Sequence, residues 1–143
     1  MVRSLRNVGC EIPVWVIPYN NNLFDLPDGC EWWEQTEISS WVRENNLPNL
    51  LKKYQVFTTE NFQFVDTDVI FQKNPSHVLK NRRGFITSCG HWHNPNHSIT
   101  KHSEELFKKK STTWPMLTFN SGQFACDRAL FSSFELIKLA ESN

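Results

Sequence analysis

Neither sign of charge is in excess in this sequence: fifteen lysines and arginines meet fifteen aspartates and glutamates in 143 residues. Without a basic surplus there is no electrostatic footprint for nucleic acid or an anionic membrane, and neither is an expected partner. Long apolar runs are missing too. The run Ile12 to Ile17 is interrupted by Pro13 and falls far below the ~20 residues of a transmembrane helix, so no transmembrane segment is expected. No signal-peptide pattern opens the chain, which is expected to be soluble and cytoplasmic, or lumenal if it is a fragment. Cysteine is sparse and unpatterned. Cys10, Cys30, Cys89 and Cys126 show no Cys-x-x-Cys spacing, which argues for small core residues or free thiols in a reducing compartment rather than a disulfide framework. Repeats and low-complexity segments are also absent, and the length suits one ordinary domain with a single core.

What is present alternates between helical and extended signals. Val2 to Val8 reads as a short helix ended by Gly9, and Ile12 to Ile17 as a buried strand bounded by Pro18 and Asn20-Asn-Asn22. Leu23 to Glu34 is punctuated by Pro27 and Gly29, with Trp32 and Trp33 as packing residues. Ile38 to Arg43 fits a strand or a helix. Asn46 is placed to cap a helix with Pro48 in its first turn and Leu47, Leu50, Leu51 and Tyr54 on one face. Asn61 to Phe71 then reads as a strand stopped before Asn74-Pro75, and Phe85 to Cys89 as another. Gly90 to Lys110 holds four of the five histidines and reads as solvated surface. Thr118 to Ala125 is strand-like around Gly122, and Asp127 can cap a closing helix with Leu130, Phe134 and Ile137 inward. Strands separated by helices predict an α/β fold, a mostly parallel sheet between helices, with ligands beyond the carboxyl ends of the strands.

At such an end stand Asp66 and Asp68. Residues two apart on a strand share a face, so this spacing brings two carboxylates together, and their repulsion is relieved by a divalent ion or a hydroxylated ligand. The alternative is a solvated acidic turn.

Four segments in order, Gly9-Cys-Glu-Ile-Pro-Val-Trp-Val16, Leu51-Lys-Lys-Tyr-Gln-Val-Phe57, Phe64-Val-Asp-Thr-Asp-Val-Ile-Phe71 with Asn74-Pro75, and Asn120-Ser-Gly-Gln123, resemble the core of a glycosyltransferase. The type they resemble is GT-A, most nearly the alpha-mannosyltransferase-like nucleotide-diphospho-sugar transferases. The resemblance implies a Rossmann-like sheet and transfer of a sugar from a nucleotide-diphosphate donor to a saccharide or other hydroxyl acceptor. It also implies a divalent cation, Mn²⁺ or Mg²⁺, on Asp68 and Asp66, with Asp66 touching the donor ribose and Thr67 structural on the opposite face. Asn120, Ser121, Gly122 and Gln123 would complete the donor site through a backbone open to close approach and through hydrogen bonds to hydroxyls. Lys52 and Lys53 either reach the phosphates or form a solvated helix face. Against the family, residues 1–143 read as one partial domain, opening in the first crossover helix and stopping after the helix beyond Ser-Gly-Gln.

Two other readings stay open. His91, His93 and His97, preceded by Cys89, form a His-x-His-x-x-x-His pattern that would suit zinc in a metal-dependent hydrolase. A sugar-nucleotide-binding or assembly remnant of the transferase fold, without catalysis, would keep the same aspartates.

Overall fold

In the computed structural model of the chain, residues 1–87, 99–117 and 121–142 are described. Helix α1 (Val2–Asn7) turns Leu5 inward and is followed by Gly9, whose φ of +73° is a left-handed conformation that costs glycine nothing. Arg6 on α1 fixes what comes next. Its Nη1 donates to the carbonyls of Cys10 and Ile12 at 2.6 and 3.0 Å, and its Nη2 to that of Gly29 at 3.2 Å. A Cβ at Gly29 would stand 2.9 Å from Nη2, so a side chain there would dislodge this clamp.

The clamp holds together strands β1 (Val14–Val16) and β2 (Cys30–Trp32), which pair in parallel with Val14 opposite Cys30 and Val16 opposite Trp32. Two strands cannot bury both faces, and Trp15 is left 53 % exposed where a buried strand was expected. Helix α2 (Thr36–Glu44) settles the ambiguous segment. Ile38 and Val42, one turn apart, are both buried, a spacing a strand would have sent to the same face only with Ser40 beside them. Asn46 takes φ +51° and donates its N–H to Arg43, so it closes α2 instead of capping the next helix.

That next helix, Asn49–Thr58, is 3₁₀ in form, with Pro48 before it. Three residues per turn rotate the face away from the one predicted at α-helical spacing. Lys52, Lys53, Gln55 and Val56 are buried, while Leu50 is exposed. Gln55 is fully enclosed and joins the elements around it, accepting from the Gln35 N–H at 2.6 Å and donating to the Trp33 carbonyl at 3.1 Å.

The second sheet contains β3 (Phe62–Val65), β4 (Phe85–Thr87) and β5 (Gln123–Cys126) in the order β3-β5-β4, with β5 antiparallel to both neighbours. Strands β3 and β4 therefore run the same way, joined across α3 (Ser76–Asn81), which is the expected strand–helix–strand arrangement. They are not adjacent. Strand β5 lies between them from the opposite direction, so among the described residues the fold is mixed α/β, with a small parallel pair and an antiparallel sheet in place of one mostly parallel sheet. Phe124 gives the physical reason. Only 1 % exposed, it meets the rings of Phe64, Phe57, Phe85 and Phe62 at 5.1, 5.4, 5.8 and 6.0 Å, contacts to both flanking strands that only a central strand can make.

Helix α4 (Lys101–Lys110) occupies part of the stretch expected to be irregular, with Thr100 accepting from the Ser103 N–H as its cap. Helix α5 (Ser133–Glu141) starts later than predicted. Ser132 and Glu135 form a reciprocal capping box, Asp127 lies in the bend after β5, and Phe134 is exposed. No helix among the described residues is long and apolar enough to cross a membrane.

Candidate functional site

Strand β3 alternates Phe62 and Phe64 toward Phe124 and ends where its ladder with β5 ends. The Asp66 N–H donates to the Gly122 carbonyl at 2.8 Å, the last rung, and the Val69 N–H donates back to the Asp66 carbonyl at 3.2 Å. Thr67 and Asp68 thus occupy the middle of a four-residue turn. The acidic pair is therefore set by a strand end and a turn, and not by strand alternation alone. Asp66 is half-buried, whereas Thr67 and Asp68 are both exposed.

The same rung joins two segments that the sequence holds far apart. Ser121 and Gly122 lead into β5, and Gln123 pairs opposite Val65, so the acidic turn and the Ser-Gly-Gln segment form one corner of the sheet. Ser121, Gly122 and Gln123 are half-buried there. Asn120 and the segment Cys89, His91, His93 and His97 lie outside the described residues. Among the described residues no three His, Cys, Asp or Glu side chains are gathered as a metal cluster. Cys10, Cys30 and Cys126 are free thiols, the first and last buried, in keeping with their composition-based reading.

A groove of about 860 Å³ runs between the β1 and β3 segments, and Asp66, Thr67 and Asp68 stand on its wall with Tyr19 and the aromatic rings of Phe24 and Trp32. Phe24 and Trp32 meet edge to face at 5.3 Å. Among the described residues neither acidic side chain is engaged in a hydrogen bond or an ion pair. Two unengaged carboxylates on a groove wall, one of them open to solvent, are hard oxygen donors of the kind that Mn²⁺ or Mg²⁺ takes. They supply two such donors, with no third acidic, histidine or cysteine side chain gathered beside them among the described residues.

Three further side chains lie near this corner: Tyr19 and Tyr54, which were not singled out as binding groups, and Lys53, which was. Tyr19 follows Pro18 just beyond the carboxyl end of β1, and its hydroxyl is held above the ordinary value of 10.0, first by burial, then by the Asp66 carboxylate and by Tyr54. Tyr54 stacks on Phe57 and also has a raised hydroxyl pKa, from burial. Lys53 sends its Nζ to the Ser121 Oγ at 2.8 Å and lies 5.6 Å from the Tyr54 ring centroid. Neither lysine is on a solvated helix face: Lys52 is 9 % exposed and Lys53 5 %. Lys52 turns the other way, to the Glu34 carboxylate at 2.8 Å. The sequence signal for Tyr19 was only its place after a strand end, where ligands gather in α/β folds. Compared with known proteins, the chain has no significant match to a family model, a curated protein or a solved structure.

Proposed function

We propose that this chain is a sugar-nucleotide-dependent glycosyltransferase of GT-A type, moving a sugar from a nucleoside-diphosphate donor to an acceptor hydroxyl. One observation carries the reading: the acidic turn and the Ser-Gly-Gln segment, both expected to hold the donor, meet through the Asp66–Gly122 rung, and the acidic turn stands on the wall of a groove large enough for a small ligand. The divergence of the sheet from a mostly parallel one leaves this corner intact, because the rung belongs to the β3–β5 ladder itself.

In this reading Asp68 and Asp66 hold the divalent cation, which when bound supplies charge neutralisation to the departing diphosphate. The chain's own residues do the rest. Asp66, fixed by its backbone bond, keeps one carboxylate at a set place, and exposed Asp68 can swing to meet the donor. Ser121 offers a hydroxyl beside Gly122. Phe24 and Trp32 provide flat apolar surface farther along the groove, suited to a planar base or a sugar face.

The test is turnover. Incubated with Mn²⁺ and a panel of uridine and guanosine diphosphate sugars, the chain is expected to release nucleoside diphosphate, and Asp68→Ala to reduce that release by roughly a hundredfold or more. Release that does not need the metal or Asp68 would contradict the assignment. Zinc retained through purification, with no nucleotide affinity, would favour the histidine-based hydrolase, and binding without release would identify a non-catalytic relative.

A further inference from the structure

We propose that Lys53 and Ser121 form an oxyanion subsite for a phosphate-class ligand, in which a buried ammonium delivers its charge at the Ser121 hydroxyl. Lys53 is 5 % exposed, yet the hydrogen bond its Nζ makes is to a neutral oxygen, Ser121 Oγ at 2.8 Å. Every Asp and Glu of the chain lies among the described residues, and none forms an ion pair with Lys53. A buried charge without a counter-charge is expensive, and proteins that keep one generally pair it with a ligand or an ion. The Tyr54 ring compensates only in part. Lys52, one residue earlier on the same helix, does find a carboxylate, Glu34 at 2.8 Å, so the helix itself does not prevent pairing.

Direction follows from the donor inventory. An ammonium has no lone pair to offer, so Ser121 must accept the bond from Lys53, which leaves the hydroxyl proton to point elsewhere. A hydroxyl whose oxygen is already bound to a cation is a stronger donor than a free one. Ser121 immediately precedes Gly122, which takes the Asp66 N–H, so this polarised donor stands beside the acidic turn. Carboxylates there and an ammonium-backed hydroxyl here form two poles of opposite sign. A phosphate-class anion bridged to the carboxylates by a cation would satisfy both. The identification of that anion as the donor's diphosphate rests on the transferase reading; the need of Lys53 for an anion does not.

The experiment is calorimetric titration of the full chain with inorganic pyrophosphate in the presence of a chelator, together with thermal melting. Wild type is expected to bind, Lys53→Met to bind about tenfold more weakly or worse, and Lys53→Arg to retain most of the affinity. Lys53→Met is also expected to melt no lower than wild type, since it removes a buried uncompensated charge, whereas a purely structural lysine would make it melt lower. Should that variant fail to fold, Ser121→Ala, which keeps the ammonium, is expected to show the same loss of pyrophosphate. Affinity unchanged in a folded variant, or no pyrophosphate binding by wild type alongside intact Mn²⁺-dependent nucleotide binding, overturns the subsite and leaves the transferase reading standing. Lys53-dependent pyrophosphate binding without any Mn²⁺-dependent nucleotide binding keeps the subsite and removes that reading.

Discussion

Lys52 and Lys53 are neighbours on one 3₁₀ helix, both buried, and they reach different partners. Lys52 reaches Glu34, between the parallel pair and α2, and there its charge is matched within the chain. Lys53 reaches the corner where β5 begins and finds a serine. The first arrangement is complete as it stands. The second is completed only by an anion from outside. That asymmetry, more than the acidic pair alone, separates a structural region from a binding region.

Phe124→Ala removes the ring that β3 and β4 share and should cost about 3–5 kcal/mol, measured by denaturant unfolding. A loss below about 1 kcal/mol would mean that β5 is not the central strand of a packed core.

On the structural side, Lys52→Met leaves Glu34 without its partner and should cost about 1 kcal/mol, because the Glu34 side chain is 44 % exposed and solvent repays part of the loss. Its pH dependence sharpens the contrast. The Glu34 carboxyl is held below its ordinary 4.5, chiefly by the hydrogen bond from Lys52. A depressed carboxyl contributes stability above its unfolded value and loses it as pH falls toward the folded one. Wild type should therefore lose stability on acidification below about pH 4.5 more steeply than Glu34→Gln does. Equal slopes in the two would show that the pair contributes nothing.

The smallest effect reports on the binding side. Asp66→Asn should lower the Tyr19 hydroxyl toward its ordinary 10.0, but only in part, because burial is the larger cause and remains. With only two tyrosines in the chain, an ultraviolet titration resolves the shift, and an unchanged profile would separate Tyr19 from Asp66.

The sequence made the acidic corner legible because its signals were local. Apolar alternation at Phe62 and Phe64 marked a strand, Asp66 and Asp68 marked its end, and Ser121-Gly122 stood out as a tight segment. That these two places touch could not be read from either segment, since nothing local couples residue 66 to residue 122. The direction of β5 was hidden for the same reason: a short strand around Phe124 reads alike whichever way it runs. Helix type was the other loss. Leu47, Leu50, Leu51 and Tyr54 fit an α-helical face, but the segment winds as 3₁₀ and turns Lys52 and Lys53 inward, against the usual rule that lysines stay wet. Strand β2 was missed because Cys30-Glu31-Trp32 is three residues long and carries no alternation to detect. Asn46 showed a capping residue correctly, at the wrong end of the wrong helix, because asparagine serves both starts and left-handed stops.

The role proposed for Asp66 and Asp68 is to hold a divalent cation against a nucleoside diphosphate. Calorimetric titration of uridine and guanosine diphosphates, with and without Mn²⁺, on wild type and Asp68→Ala, tests it most directly. Wild type is expected to bind in a manner that depends on Mn²⁺, and Asp68→Ala to lose that binding while its melting temperature holds. Binding that is indifferent to the metal, or that survives in Asp68→Ala, would contradict that role.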